Sequence, residues 1–432
     1  MLGIAAAWGC ASLPGLERPA YGTLGSGQLF ENMGSHTRTI TTRSPKAQQF
    51  FNQGLAWMYS FNHDEAVLAF RRAAELDPGC AMAWWGIAYA QGPNYNDPGM
   101  TPARSQAAWD ALNKAQVALD DETPRERALI EALGARYANP PPQDRRPLDA
   151  AFARAMAKVW AAYPDDSDIG VFYAESMMTR FPWRLYDIDG RPALVETATI
   201  VSTLERVIAL DPQNPGANHL YIHAIEPSVD KERGIAAADR LRSLVPASGH
   251  MNHMPSHIYA QVGMWEASIE QNKKATMRDA HYRKKSPKQL IQNGYMMHNA
   301  HMLAFSAMMV GQEKTAMAAA RSMWTQLPLE QMQASAPYFD AIMCSIYDVM
   351  KRFGRWDALL AEPPPPSNFR ITTAVWHAHR AIAWAAKHNF EQARAEQVAF
   401  RRAMKDIPAE SPVHLLCACL DTHQDLSLHR YF

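Results

Sequence analysis

Cysteine is scarce in this chain of 432 residues: Cys10, Cys80, Cys344, Cys417 and Cys419 are all there are. They are too few and too scattered for a disulfide framework, and Cys417-Ala-Cys419 lacks the two-residue spacer of a redox or zinc knuckle. Buried free thiols are the simpler reading. Excess charge is also lacking, because 43 lysines and arginines face 43 aspartates and glutamates. That balance argues against a nucleic-acid partner, which usually calls for a basic excess. No run approaches the ~20 apolar residues of a membrane span, and no segment shows the period of a strand. The start, Met1 to Cys10, is apolar and rich in small residues, but it lacks a positive n-region and is short for a signal. Ala7-Trp-Gly-Cys10 faintly resembles a lipoprotein cleavage box. Two origins stay open: an ordinary tail of a cytoplasmic protein, or the remnant of a longer leader of an exported one. Residues 1–45 are expected to be a tail, poorly packed as far as about residue 40.

Apolar side chains are plentiful. Hydrophobic residues make up 47% of the chain, enough for a sizeable core. Phe50, Gly54 and Trp57 are followed by Ala66, Phe70, Ala73 and Pro78, then by Trp84, Ile87 and Ala88. This is the tetratricopeptide pattern, in which small residues let two helices of a hairpin approach and aromatics fill the groove beside the next hairpin. Related units recur at 204–244, 254–278, 295–323, 341–360 and 371–404, while 92–147 departs from the pattern. The expected fold is all-α, a right-handed tetratricopeptide-type superhelix, or α-solenoid, over residues 46–425.

Histidine is concentrated. Seven of 16 lie within 83 residues, in three clusters: His219, His223; His250, His253, His257; and His298, His301. Spacings of three and four put each cluster on one helix face. His219 to His253 is 34 residues, and so is His223 to His257. Thirty-four is the tetratricopeptide period, so the two pairs hold equivalent places in neighbouring repeats. Registering the next repeat by Gly263 and Gly311 maps His253 onto His301 and His250 onto His298. In such a superhelix these helices line the concave groove. Helices ~8–10 Å apart bring imidazoles within reach of one ion. Pro255 predicts a helix start, which leaves His250 and His253 on its entry loop.

Glu226 shares the face of His219 and His223 at the end of their helix, where the dipole disfavours a carboxylate. A cationic partner would explain it, with Glu226 as ligand, orienting group or general base; a solvent-exposed helix-end acid is the plain alternative. Seven imidazoles and one carboxylate are too nitrogen-rich for magnesium or calcium. Copper fits best, zinc next, and a di-iron carboxylate site wants more acids. The expectation is a metal-dependent enzyme with these seven histidines as ligands and Glu226 as a catalytic group. A copper oxidoreductase is favoured over a zinc hydrolase, acting on a small-molecule or peptide substrate in the groove. A peptide-binding scaffold and a non-catalytic metal-binding protein are the alternatives. His377 and His379 are candidates to extend the site. Pro182 to Gly190, with Trp183, Asp187 and Asp189, reads as a turn or lid, and His63, Asn94 and Asn96 as turn chemistry at repeat ends.

Together, Phe61-Asn-His63, Gly92-Pro-Asn94, His219 to Glu226, His253 to Ile258 and His298 to His301 resemble the blocks of a group of bacterial tetratricopeptide-repeat proteins. The resemblance implies the helical repeat over most of the chain and brings no assured activity.

Overall fold

The computed structural model describes residues 19–287, 291–327, 329–334 and 336–407. Cys10, Cys417, Cys419, the candidate leader and the end of the expected array lie outside them. The described residues divide into two compact units, one up to residue 293 and one from 294 on. Among the described residues there is no strand, only an isolated bridge between Tyr186 and Pro192. No described helix is long and apolar enough to cross a membrane.

The first unit runs α1 (Pro45–Tyr59), α2 (His63–Leu76), α3 (Ala81–Gln91), α4 (Pro102–Val117), α5 (Pro124–Gly134), α6 (Arg146–Ala162), α7 (Ser167–Met178), α8 (Val195–Leu210) and α9 (Pro215–Ile225). A 3-10 turn, Lys231–Gly234, leads into α10 (Ile235–Leu241), α11 (Gly249–His253), α12 (Pro255–Gln261) and α13 (Trp265–Lys285). Helices from α1 to α10 pack on their neighbours in sequence, α10 packs on α12, α11 on α13, and α9 also packs on α1. The hairpin logic of the sequence is visible at Phe70. A Cβ placed on Gly54 or on Gly86 would lie 2.6 Å from its ring, so α1 and α3 both close on it. The stretch 92–147, irregular as a repeat, still forms α4 and α5, capped by Thr101 and Thr123.

Residues 19–44 correct the expectation of a poorly packed tail. They carry no helix, yet Tyr21, Arg38 and Ile40 are buried. Side-chain amides clamp this strap by its backbone. Gln53 accepts from Phe30 N at 2.7 Å and donates to Gln28 O at 2.7 Å. Gln91 does the same for both backbone groups of Tyr21. Glu65 accepts from Ser26 N and Gly27 N. At the far end Ala247 N donates to Asn32 O, and the Asp168 carboxylate takes His36 at 2.9 Å. Extended backbone without its own hydrogen bonds is satisfied by polar side chains of α1, α2 and α3.

The second unit begins within α14 (Ile291–Met309) and continues with α15 (Glu313–Met323), α16 (Leu329–Ala334), α17 (Ala336–Met343), α18 (Ser345–Arg352), α19 (Trp356–Ala361), α20 (Arg370–Ala386) and α21 (Phe390–Lys405). Its core gathers Met297, Met323, Met332, Phe339, Met343 and Phe369.

A shared helix ending marks the repeats in both units. The third amide beyond α12, α14, α18 and α20 reaches back five positions: Met264 N to Tyr259 O, Gln312 N to Ala307 O, Arg355 N to Met350 O, and Asn389 N to Trp384 O. The residue before each amide is left-handed: Gly263, Gly311, Gly354 and His388. This is the Schellman ending, which glycine adopts without strain. At the end of α1 the same bond joins Asn62 N to Trp57 O, and the left-handed residue is Phe61, at φ 55°.

Candidate metal centre

Repeat equivalence first shows in the helix starts. Asn214 caps α9 by accepting from Ala217 N, with Pro215 fixing the first turn. Ser248, 34 residues on, caps α11 by accepting from Met251 N. Asn218 donates to the carbonyls of Pro212 and Asn214, and Asn252 donates to those of Pro246 and Ser248. The offset is the same throughout. It sets His219 and His253, the next residues, at equivalent places. His250 and His253 lie in the short helix α11 rather than on an entry loop, because the Ser248 cap starts the helix before Pro255 does.

His219, His223, His250, His253, His257 and Glu226 are all buried. Three nitrogens, one each from His219, His223 and His250, lie within 4.8 Å of one another. His219 Nδ1 is 2.6 Å from the Tyr59 carbonyl, and His223 Nδ1 is 3.0 Å from Glu226 Oε1. Those oxygens can only accept, so each Nδ1 carries the proton and each Nε2 is left with a bare lone pair. His219 Nε2 is 3.1 Å from His250 Nε2. His223 Nε2 is buried with no hydrogen-bond partner among the described residues.

His253 and His257 form a second group. His253 Nδ1 meets Asn272 Oδ1 at 2.7 Å, and His257 Nδ1 meets Glu226 Oε2 at 2.5 Å. Their Nε2 atoms face each other at 2.8 Å. Equivalence in sequence therefore becomes two different contacts. His223 and His257, 34 residues apart, share one carboxylate. His219 meets His250 rather than its equivalent, His253.

Burial pushes the imidazoles of His219, His250 and His253 well below their ordinary pKa, and the neighbouring rings push the same way. Burial also lowers His223, against the pull of Glu226. Neutral imidazole is the ligand form. Glu226 goes the other way: burial would raise it, but His257 and His223 bring its carboxyl down to about 2. It is not the solvent-exposed acid that its helix-end place allowed. Both its oxygens take an Nδ1–H, so its contacts are those of an orienting group.

Three aromatic residues pack on these rings, and the site reading of the sequence missed Phe61 and Tyr95. Phe61 lies 4.6 Å from His219 and 5.8 Å from both His223 and His250, centroid to centroid. Tyr95 lies 5.5 Å from His223. Trp183 meets His223 edge-on at 5.3 Å, while Asp187 and Asp189 of the same turn are exposed. Phe61 and Trp183 both hold left-handed backbone, at φ 55° and 58°, a strain that side chains accept where the surroundings over-determine it. The readable signal was Phe61 itself, set where four other repeat ends carry Gly263, Gly311, Gly354 or His388.

His298 and His301 sit on α14 in the second unit, ring centroids 6.0 Å apart. In the second unit His377 Nδ1 meets Glu396 at 2.7 Å, and both nitrogens of His379 are engaged, Nδ1 by the Val375 carbonyl at 2.8 Å and Nε2 by Asp348 at 2.9 Å. His63 donates to the Ala90 carbonyl at 2.6 Å, and Asn94 accepts from the amides of Asn96 and Asp97, which is turn chemistry as expected.

No family model matches the chain, and no curated protein matches it in sequence. Among solved structures it is similar to the human IFIT1 dimer with PPP-AAAA, at 13% identity over 83% of this chain and 72% of that one, with a TM-score of 0.41. It is also similar to Rap protein complexed with competence and sporulation factor, at 10% identity over 83% of this chain and 98% of that one, with a TM-score of 0.35. Likenesses of this strength carry no argument about function.

Proposed function

We propose that the chain is a metal-dependent enzyme, a copper oxidoreductase whose metal is held by buried imidazoles on a helical-repeat scaffold. One observation carries the reading. The nitrogens of His219, His223 and His250 converge within 4.8 Å, and the Nδ1 atoms of His219 and His223 are pinned by a backbone carbonyl and a carboxylate. That outer hydrogen bonding is what fixes the tautomer and orientation of a metal-ligating histidine. The residues fit a soft or borderline transition metal, since the donors are neutral imidazoles. Glu226 is the only carboxylate hydrogen-bonded to them among the described contacts. A buried site with so little negative charge favours a singly charged ion over two added positive charges, and copper(I) meets that condition where zinc does not. Zinc hydrolysis would also need a general base, and Glu226 has both oxygens engaged by histidines.

Copper, when bound, would supply one-electron redox chemistry. The chain's own residues hold and orient the imidazoles through Tyr59 O, Asn272 and Glu226. Phe61, Tyr95 and Trp183 keep water from the rings and favour an apolar or aromatic small molecule as substrate. The peptide-scaffold reading is weakened by the strap, because Gln53, Glu65 and Gln91 already clamp the chain's own backbone.

The test is elemental analysis of the chain purified without a histidine tag or chelating column, followed by oxygen uptake with a phenol or ascorbate as reductant. Copper content together with uptake supports the proposal. Zinc, or no metal, overturns it. Copper without turnover on any reductant leaves a metal-binding protein that is not an enzyme.

A further inference from the structure

Asp168 gathers four side-chain donors from three parts of the first unit. It is buried in the first turn of α7. One of its oxygens takes His36 Nε2 at 2.9 Å, the Tyr59 hydroxyl at 2.6 Å and Asn214 Nδ2 at 3.0 Å. The other takes Arg38 Nη1 at 3.4 Å, and the same nitrogen reaches Asp166 at 2.8 Å. His36 and Arg38 belong to the strap. Tyr59 ends α1, and Asn214 caps α9.

Tyr59 and Asn214 both set His219. Carbonyls in the last turn of a helix have no partner inside it, and that of Tyr59 takes His219 Nδ1 at 2.6 Å. The Asn214 side-chain oxygen accepts from Ala217 N and starts the helix that carries His219, while its NH2 group donates to Asp168. The junction is tight: a Cβ on Gly216 would lie 2.6 Å from the Tyr59 ring. The His36 ring also packs on Tyr59, centroids 6.0 Å apart. A buried carboxylate is costly without cationic partners. Burial alone would raise the Asp168 carboxyl, but His36 and Arg38 of the strap, with Tyr59, bring it well below the ordinary range.

We infer, on the metal reading above, that Asp168 is a positioning residue that couples the strap to the metal centre. With His36 and Arg38 docked on it, Asp168 holds Tyr59 and Asn214 where they aim the His219 ring at the ion. Without them its charge is uncompensated, the junction of α1, α7 and α9 loosens, and the Tyr59 carbonyl no longer fixes that ring. Such coupling is reciprocal: a strap that strengthens metal binding is itself held by the metal, by the same factor.

The experiment measures both directions. Tag-free full chain is stripped with a chelator and given copper(I) alone under anaerobic conditions. Competition with a chromophoric chelator gives the affinity. Limited proteolysis compares cutting within residues 19–44 with cutting elsewhere, with and without copper(I). In wild type, copper(I) is expected to slow cutting of the strap ~5–10-fold more than cutting elsewhere. Tyr59→Phe removes the hydroxyl and keeps the carbonyl, and His36→Ala changes the strap alone. Each is expected to bind copper(I) ~5–10-fold more weakly and to lose the copper-dependent protection. A variant that is merely less stable is cut faster at every site, and its strap still gains protection from the ion. Circular dichroism confirms that each variant is folded, and His36→Ala carries the test if Tyr59→Phe is not. Copper(I) bound as tightly by both variants as by wild type, with strap cutting indifferent to the ion, overturns this inference and leaves the metal reading standing. A wild type that binds no copper(I) removes both.

Discussion

Glutamine in place of Glu226 preserves the shape of the side chain and removes one acceptor. The carboxylate accepts from His223 at 3.0 Å and from His257 at 2.5 Å. An amide presents one oxygen and one NH2 group, so one of the two Nδ1–H donors then faces another donor. A hydrogen bond to a charged group contributes ~1.5–3 kcal/mol and a neutral one ~0.5–1.5 kcal/mol. Losing one and neutralising the other should cost about 2–4 kcal/mol. The carboxyl registers the same two contacts. Its fall from 4.5 to about 2 corresponds to about 3 kcal/mol at ~1.36 kcal/mol per unit. The sign follows from the depressed folded value: this stabilisation is complete above pH 4.5 and is lost as pH falls towards 2. At neutral pH the whole of it is exposed to Glu226→Gln. The melting temperature of the metal-free protein should drop by about 5–10 °C, judged from large domains. Metal affinity should fall ~10–100-fold. Calorimetry of the apo form and competition with a chelator measure the two effects. Unchanged melting and unchanged affinity would refute the orienting role. Intact metal content with abolished turnover would assign Glu226 to proton transfer instead.

Three further outcomes are expected. Phe61→Gly relieves about 1 kcal/mol of left-handed strain but removes a ring whose burial is worth ~3–5 kcal/mol, so the protein should melt lower and hold metal more weakly; unchanged metal affinity would mean that the ring does not shape the site. Gly34→Ala forces a Cβ to within 2.0 Å of the Leu244 carbonyl at φ +89°, so the strap should loosen, and limited proteolysis should cut residues 19–44 sooner; an unchanged digestion pattern counts against the strap. Burial holds His63 down to about 4 and also depresses His219, His223, His250 and His253, so the unfolded chain takes up protons below pH 6.5 while the folded one does not. Stability should be full above 6.5 and fall by ~1.4 kcal/mol per unit per histidine as pH drops towards 4; a urea midpoint that stays flat between pH 7 and 5 would refute this.

Sequence by itself determined the helical repeat and the histidine periodicity. Small and aromatic residues at fixed spacing, Gly54 and Phe70 among them, leave one way for a hairpin to close. The interval of 34 between His219 and His253 made their equivalence readable, because a repeat imposes the same local hydrogen bonds each time it recurs. Three things were decided by tertiary structure. The strap was invisible because its anchors Gln53, Glu65 and Gln91 look like ordinary helix-face residues until an extended chain lies across them. The pairing of His219 with His250, rather than with its equivalent, depends on how α9 packs against α1, whose Tyr59 carbonyl holds the His219 ring, and no interval encodes that. The role of Glu226 needed both His223 and His257 in place. A carboxylate at a helix end already called for a cationic partner in the sequence, but only the approach of α12 to α9 gives its second oxygen a donor.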